Sequence, residues 1–174
     1  MRRFAFVLVI AALLMPAVAL AGSTVPEVIA KFKEKDPRVA KAFRTAYGYV
    51  VFPTVGKGGI GIGGAHGKGE VYEQGKQIGT STLNQVTVGF QLGGQAYSEV
   101  IFFKDKTATD DFKRGNFELS AQASAVALNA RAAGDLPYNK GVAIATMAKG
   151  GLMYEASVGG QKLSYKPIEV DAKK

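Results

Sequence analysis

An α+β fold, mainly antiparallel β, is predicted, with one compact sheet or barrel-like domain carrying N-terminal helices and one short helical excursion. Three observations predict it. Apolar residues recur at helical spacing only between 25 and 46 and briefly after 106. From residue 47 onward they alternate at strand spacing or form short β-branched runs, and glycine-rich turns separate those runs. The chain is 47% hydrophobic and contains no cysteine, so a disulfide framework, a zinc ribbon and disorder are excluded together.

The first 21 residues read as an export signal. Arg2 and Arg3 form a basic start, Phe4 to Met15 an apolar run, Pro16 a break, and Ala19-Leu20-Ala21 small residues at the cleavage positions. Cleavage before Gly22 is expected, leaving one domain over 22–174 in the periplasm or secreted, possibly peripheral to a membrane. The apolar run is too short for a bilayer span, which needs roughly 20 residues. Loss of two arginines lowers the formal charge from +8 to +6.

Residues 25 to 46 predict a helix in two pieces. Val28, Ile29 and Phe32 share one face of the first, and Val39, Ala42, Phe43 and Ala46 repeat in the second. Asp36-Pro37 between them suits an N-cap followed by proline in the first turn. Lys31, Lys33, Lys35, Arg38, Lys41 and Arg44, set against Glu34 and Asp36, place +4 of charge on this stretch. Either it is a solvated outer helix face, or it meets anionic lipid.

Tyr47 to Pro53 is β-branched and aromatic, and Gly56 to Gly69 is glycine-dense with Ile60 and Ile62 at alternate positions. Glycines so placed permit close backbone packing, a bulge or a sharply bent strand. Glu70 to Gln74 continues the strand, and Gln74-Gly75-Lys76 predicts a hairpin turn. Asn84 to Gln95 alternates, with Val86, Val88, Phe90 and Leu92 on one side and Gln85, Thr87 and Gln91 on the other. Val100 to Phe103 predicts a buried strand. Thr107 to Arg114 predicts a helix with Thr109 as cap and Gly115 as stop. Residues 117 to 133 read as strand by alternation, although their alanines also suit helix. Gly141 to Met147, Leu152 to Val158 and Gln161 to Tyr165 complete the strands, with a tight turn at Val158-Gly159-Gly160-Gln161.

Catalytic chemistry is sparse. The glycine run satisfies G-x-G-x-x-G but leads into strand formers where a dinucleotide fingerprint needs a helix N-terminus. His66 is the sole histidine, so a histidine-built zinc site is impossible, and no serine stands in a nucleophile elbow. No catalytic residue, cofactor or metal site is expected; an enzyme centred on His66 is the remotest alternative. A pI near 9.6 invites nucleic acid, but the aromatics sit in core-like runs and the charge sits on helices, so nucleic acid is not an expected partner.

The stretch Ala46-Tyr47-Gly48-Tyr49-Val50-Val51-Phe52-Pro53, then Val55-Gly56-Lys57-Gly58-Gly59 and Ile62 to Gly69, resembles the SYLF lipid-binding domain family. Val88 to Gly94, Glu99 to Phe103, Phe112 with Phe117 to Ala127, and Ala148-Lys149-Gly150-Gly151-Leu152 extend the resemblance in order, over about residues 26 to 165. Ala143 to Met147 departs from the aromatic, serine-rich stretch of that family. The resemblance implies a non-catalytic domain that binds anionic phospholipid. Eukaryotic members act on phosphoinositides and actin; with an export signal, neither is expected here. Val28, Ile29 and Phe32 are the expected apolar lipid contacts, Lys31, Lys33, Lys35, Arg38 and Lys41 the charged ones, and Lys57 and Lys68 a second set beside the glycine stretch. An envelope structural protein docking a protein partner through the same helix is the alternative.

Overall fold

The computed structural model describes residues 23–115, 117–120, 125–149 and 158–168, without side chains at 60, 61, 87–93 and 127. The expected export signal, all but the last residue of the strand expected over Leu152 to Val158, and part of 117–133 lie outside the described residues.

Two helices open the described chain, α1 (Val25–Lys35) and α2 (Pro37–Thr45). Glu27 accepts from the Thr24 backbone N–H at 3.1 Å and so ties down the first turn of α1. Asp36 closes α1 and caps α2, as its position before Pro37 predicts. Its carboxylate accepts from the Arg38 N–H at 2.9 Å, from the Arg38 guanidinium at 3.1 and 2.7 Å, and from the distant Asn129 N–H at 3.0 Å. Burial works to raise this carboxyl's pKa, but those hydrogen bonds outweigh it and hold the group below the usual range.

Strands β1 (Gly48–Glu73) and β2 (Lys76–Phe103) form one antiparallel ladder running from Gly48↔Phe103 to Glu73↔Lys76. Gln74 and Gly75 connect them with φ of 47° and 78°, the paired left-handed geometry of a type I′ turn. Strands this long, against the usual five or six residues, must bend. Register shifts at Phe52/Val55, Ile60/Ile62 and Val71/Tyr72 supply the bends. The ladder then returns over itself, and the Gln74 N–H reaches the Tyr47 carbonyl at 2.9 Å. Glycine permits the crossing: a Cβ on Gly69 would lie 2.6 Å from the Val51 carbonyl oxygen and 2.7 Å from the Phe52 ring.

β2 is the spine. Opposite β1, its edge pairs first with β6 (Lys162–Pro167) over Gly79–Asn84 and then with β5 (Val142–Ala148) over Tyr97–Phe103. Two short strands flank these: β3 (Phe117–Glu118) on β6, and β4 (Val126–Ala127) on β5. The β4–β5 pair is parallel, a departure within an otherwise antiparallel sheet. Between β2 and β3 lies α3 (Lys106–Lys113), capped by the Asp105 carboxylate through the Ala108 N–H at 2.9 Å. Thr109 is therefore not the cap. Its hydroxyl is buried one turn further on and donates to the Asp105 carbonyl at 2.9 Å.

The ladder's base is covered on both sides, which is why Tyr47 to Pro53 and Val100 to Phe103 are continuously apolar rather than alternating. Val50, Phe52, Ile101 and Phe103 join the cluster containing Phe112 of α3 and Leu163 of β6. Tyr49, Val51, Val100 and Phe102 face Val28, Phe32 and Val39 of α1 and α2, with Ala143 and Ala145 of β5.

Candidate lipid-facing surface

The structure divides the expected contacts. Val28 and Phe32 are fully buried, and Ile29 packs half-buried against the same cluster. The apolar stripe of α1 holds the helix to the sheet, leaving Val28 and Phe32 no surface to offer. Arg38 is committed to Asp36, and Lys41 is paired to Asp135 at 2.6 Å on the surface.

Lys31, Lys33 and Lys35 are exposed on α1. Lys33 Nζ lies 5.2 Å from the centroid of the Phe43 ring, a cation–π contact that leaves the residue exposed. Lys149, which follows β5, joins this charge. Its ammonium donates to the Thr54 hydroxyl at 2.7 Å and the Ser23 hydroxyl at 3.1 Å, bridging β1 to the start of α1. Burial lowers its pKa, and the nearby Lys31 charge lowers it further, with Glu27 acting in opposition. Lys149 stands inside a stretch carrying the family resemblance, but nothing in its local sequence marks it as a contact. Only the tertiary fold brings it to Lys31.

The second set sits elsewhere. On the returning half of β1, odd positions from Gly63 to Val71 are buried and even positions face outward. Cross-strand register sets Lys68 opposite Thr82, which is opposite Ser164, and sets Glu70 opposite Thr80, which is opposite Lys166. These rows border a cavity of about 410 Å³ that Pro53 and Val25 of α1 also line. Its rim holds two lysines, the hydroxyls of Thr80 and Thr82, and Glu70, whose carboxylate accepts from the Tyr72 hydroxyl at 2.6 Å. Lys57 is half-exposed on the outgoing half of β1, opposite Gln95.

His66 lies on the same outer face, its Nδ1 2.8 Å from the Asn84 side-chain oxygen. That neighbour is neither nucleophile nor carboxylate, so the pair supplies no acyl-transfer geometry. Among the described residues no three His, Asp or Glu side chains come together as metal ligands.

Comparison with known proteins agrees with the resemblance. Residues 84–167 match the family described as Ysc84, Las17-binding protein actin regulator. Beta cell expansion factor A of Aeromonas veronii is 29% identical over 138 residues, which is 78% of this chain and 51% of that protein. The chain thus spans about half the length of this curated relative. Because the family description names actin regulation, the expectation that actin is not a partner has no support from it. The ordered motifs, the match over residues 84–167 and the bacterial relative all point to a likeness with the SYLF (Ysc84) family.

Proposed function

We propose that the protein is an exported, non-catalytic binding domain that attaches reversibly to anionic phospholipid at the cell envelope. One observation carries the reading: Lys31, Lys33 and Lys35 stand exposed on one helix with Lys149 beside Lys31, while the apolar face of that helix is occupied by the sheet. A helix so anchored presents charge to a surface without having to refold. Each basic side chain near an anionic membrane contributes about 1 kcal/mol, so three or four support weak, reversible attachment that salt screens.

Sedimentation of residues 22–174 with vesicles of phosphatidylglycerol and phosphatidylcholine, against phosphatidylcholine alone, tests this across a salt series. Binding is expected only to the anionic vesicles, weakening as salt rises. Lys31→Glu with Lys35→Glu should abolish it while the thermal midpoint stays in place. Salt-insensitive or phosphatidylcholine-equal binding would remove the electrostatic mechanism. Export is tested separately, by the N-terminal residue of the mature protein, expected to be Gly22.

Docking to a protein through the same helix is the second reading, favoured by the match of residues 84–167 to a family of Las17-binding actin regulators. Recovery of one stoichiometric partner from lipid-free extract, lost in the same double variant, would support it over the first.

A further inference from the structure

The middle of the β1–β2 ladder, residues 56–64 with 86–96, is unlike the rest of the sheet. Ile62 and Val86 are 69% and 79% exposed, the two most exposed large hydrophobic side chains among the described residues. They share one face, because Gly64 pairs with Val86 and Ile62 with Val88. Around them the surface stays open: Gly56, Gly58, Gly94 and Gln95 are exposed as well. No aspartate or glutamate occurs anywhere in 54–69 or 76–98, whereas Lys57 and Lys68 flank the segment on β1.

We infer that this glycine-rich stretch is a wedge that enters an anionic phospholipid surface, with Ile62 and Val86 in the upper acyl region and Lys57 and Lys68 at the level of the phosphates. The inference rests on the lipid-binding reading and adds to it an apolar contact that the buried face of α1 does not provide. Charge decides the occupant. An acid-free apolar segment between cations complements a phosphate layer over hydrocarbon, and nothing in it repels anionic head groups.

The chain contains no tryptophan, so a single introduced one reports its own surroundings. Val86→Trp should show a blue-shifted emission on equal-part phosphatidylglycerol and phosphatidylcholine vesicles, and shallow quenching by brominated acyl chains. Arg131→Trp, in an exposed loop remote in sequence from the ladder, should show neither. Ile62→Ser with Val86→Ser should lower the partition coefficient of the full chain roughly tenfold or more, with its thermal midpoint retained. Vesicle binding by the wild type with unchanged Val86→Trp emission, or an unchanged partition of the serine pair, overturns the wedge and leaves electrostatic attachment standing. Absence of wild-type binding to any vesicle overturns both.

Discussion

One pair of strands builds two regions with opposite surroundings. At the ladder's base, residues 48–55 and 97–103 have helices on one side and the returning sheet on the other, so nearly every side chain is interior. In the middle, residues 56–64 and 86–96 keep the pairing, yet Ile62 and Val86 stand in solvent. Regular β hydrogen bonding is shared. What differs is which elements pack on the faces, so apolar character means core in one region and exposed surface in the other.

The base should be the sensitive half. Phe102→Ala removes a ring packed edge-on against Phe43 at 4.9 Å between centroids, and should cost about 3–5 kcal/mol in denaturant unfolding. A loss below about 1 kcal/mol would show that α2 does not depend on this packing.

Next in size is a titration confined to the base. Glu99 is fully buried, and burial pushes its pKa up to about 8, while the hydrogen bond from the Gln161 amide at 3.2 Å works the other way. The folded protein therefore holds a proton that the unfolded chain releases at ordinary carboxyl pH. The Glu99 contribution to stability should be fully present below the unfolded value of about 4.5, and should be lost as pH rises from there toward 8. Glu99→Gln should flatten that slope and raise stability near neutrality by a few kcal/mol, as measured by urea midpoints across pH. An unchanged slope would show that Glu99 does not carry it.

Gly69 tests the doubling that separates the regions. An alanine Cβ there would meet the Val51 carbonyl and the Phe52 ring, so Gly69→Ala should destabilise by about 1–3 kcal/mol. Gly94→Ala, whose nearest such neighbour is the Lys57 carbonyl at 3.9 Å, should do far less. Equal effects would mean that the crossing is not a close contact in solution. Smallest of all, Ile62→Ser should move stability by under about 0.5 kcal/mol, since it uncovers no core, and a larger loss would mean that the middle is covered.

Local signals were legible in the sequence. Asp36-Pro37 marked the break between α1 and α2, Gln74-Gly75 the hairpin turn, and Gly159-Gly160 the turn before β6, because a cap or a left-handed residue acts within a few positions of itself. Thr109 is not the cap its position predicts, because Asp105, four residues earlier, holds that place. Of the candidate surface, the exposed lysines of α1 and Lys68 were legible as charge. The inward turn of Val28 and Phe32 was legible only as an apolar stripe, which a membrane and a sheet would satisfy alike.

Periodicity and turn chemistry by themselves determined the element types, their order and the mainly antiparallel sheet, since these follow from side-chain spacing and backbone preference along the chain. Only the tertiary structure decided that Gln85 faces inward while Val86 faces out, that Lys149 meets Lys31, and that the ladder returns across its own base. Those outcomes depend on which faces are covered by residues tens of positions away, and alternation states that two faces differ without stating which one the rest of the chain will bury.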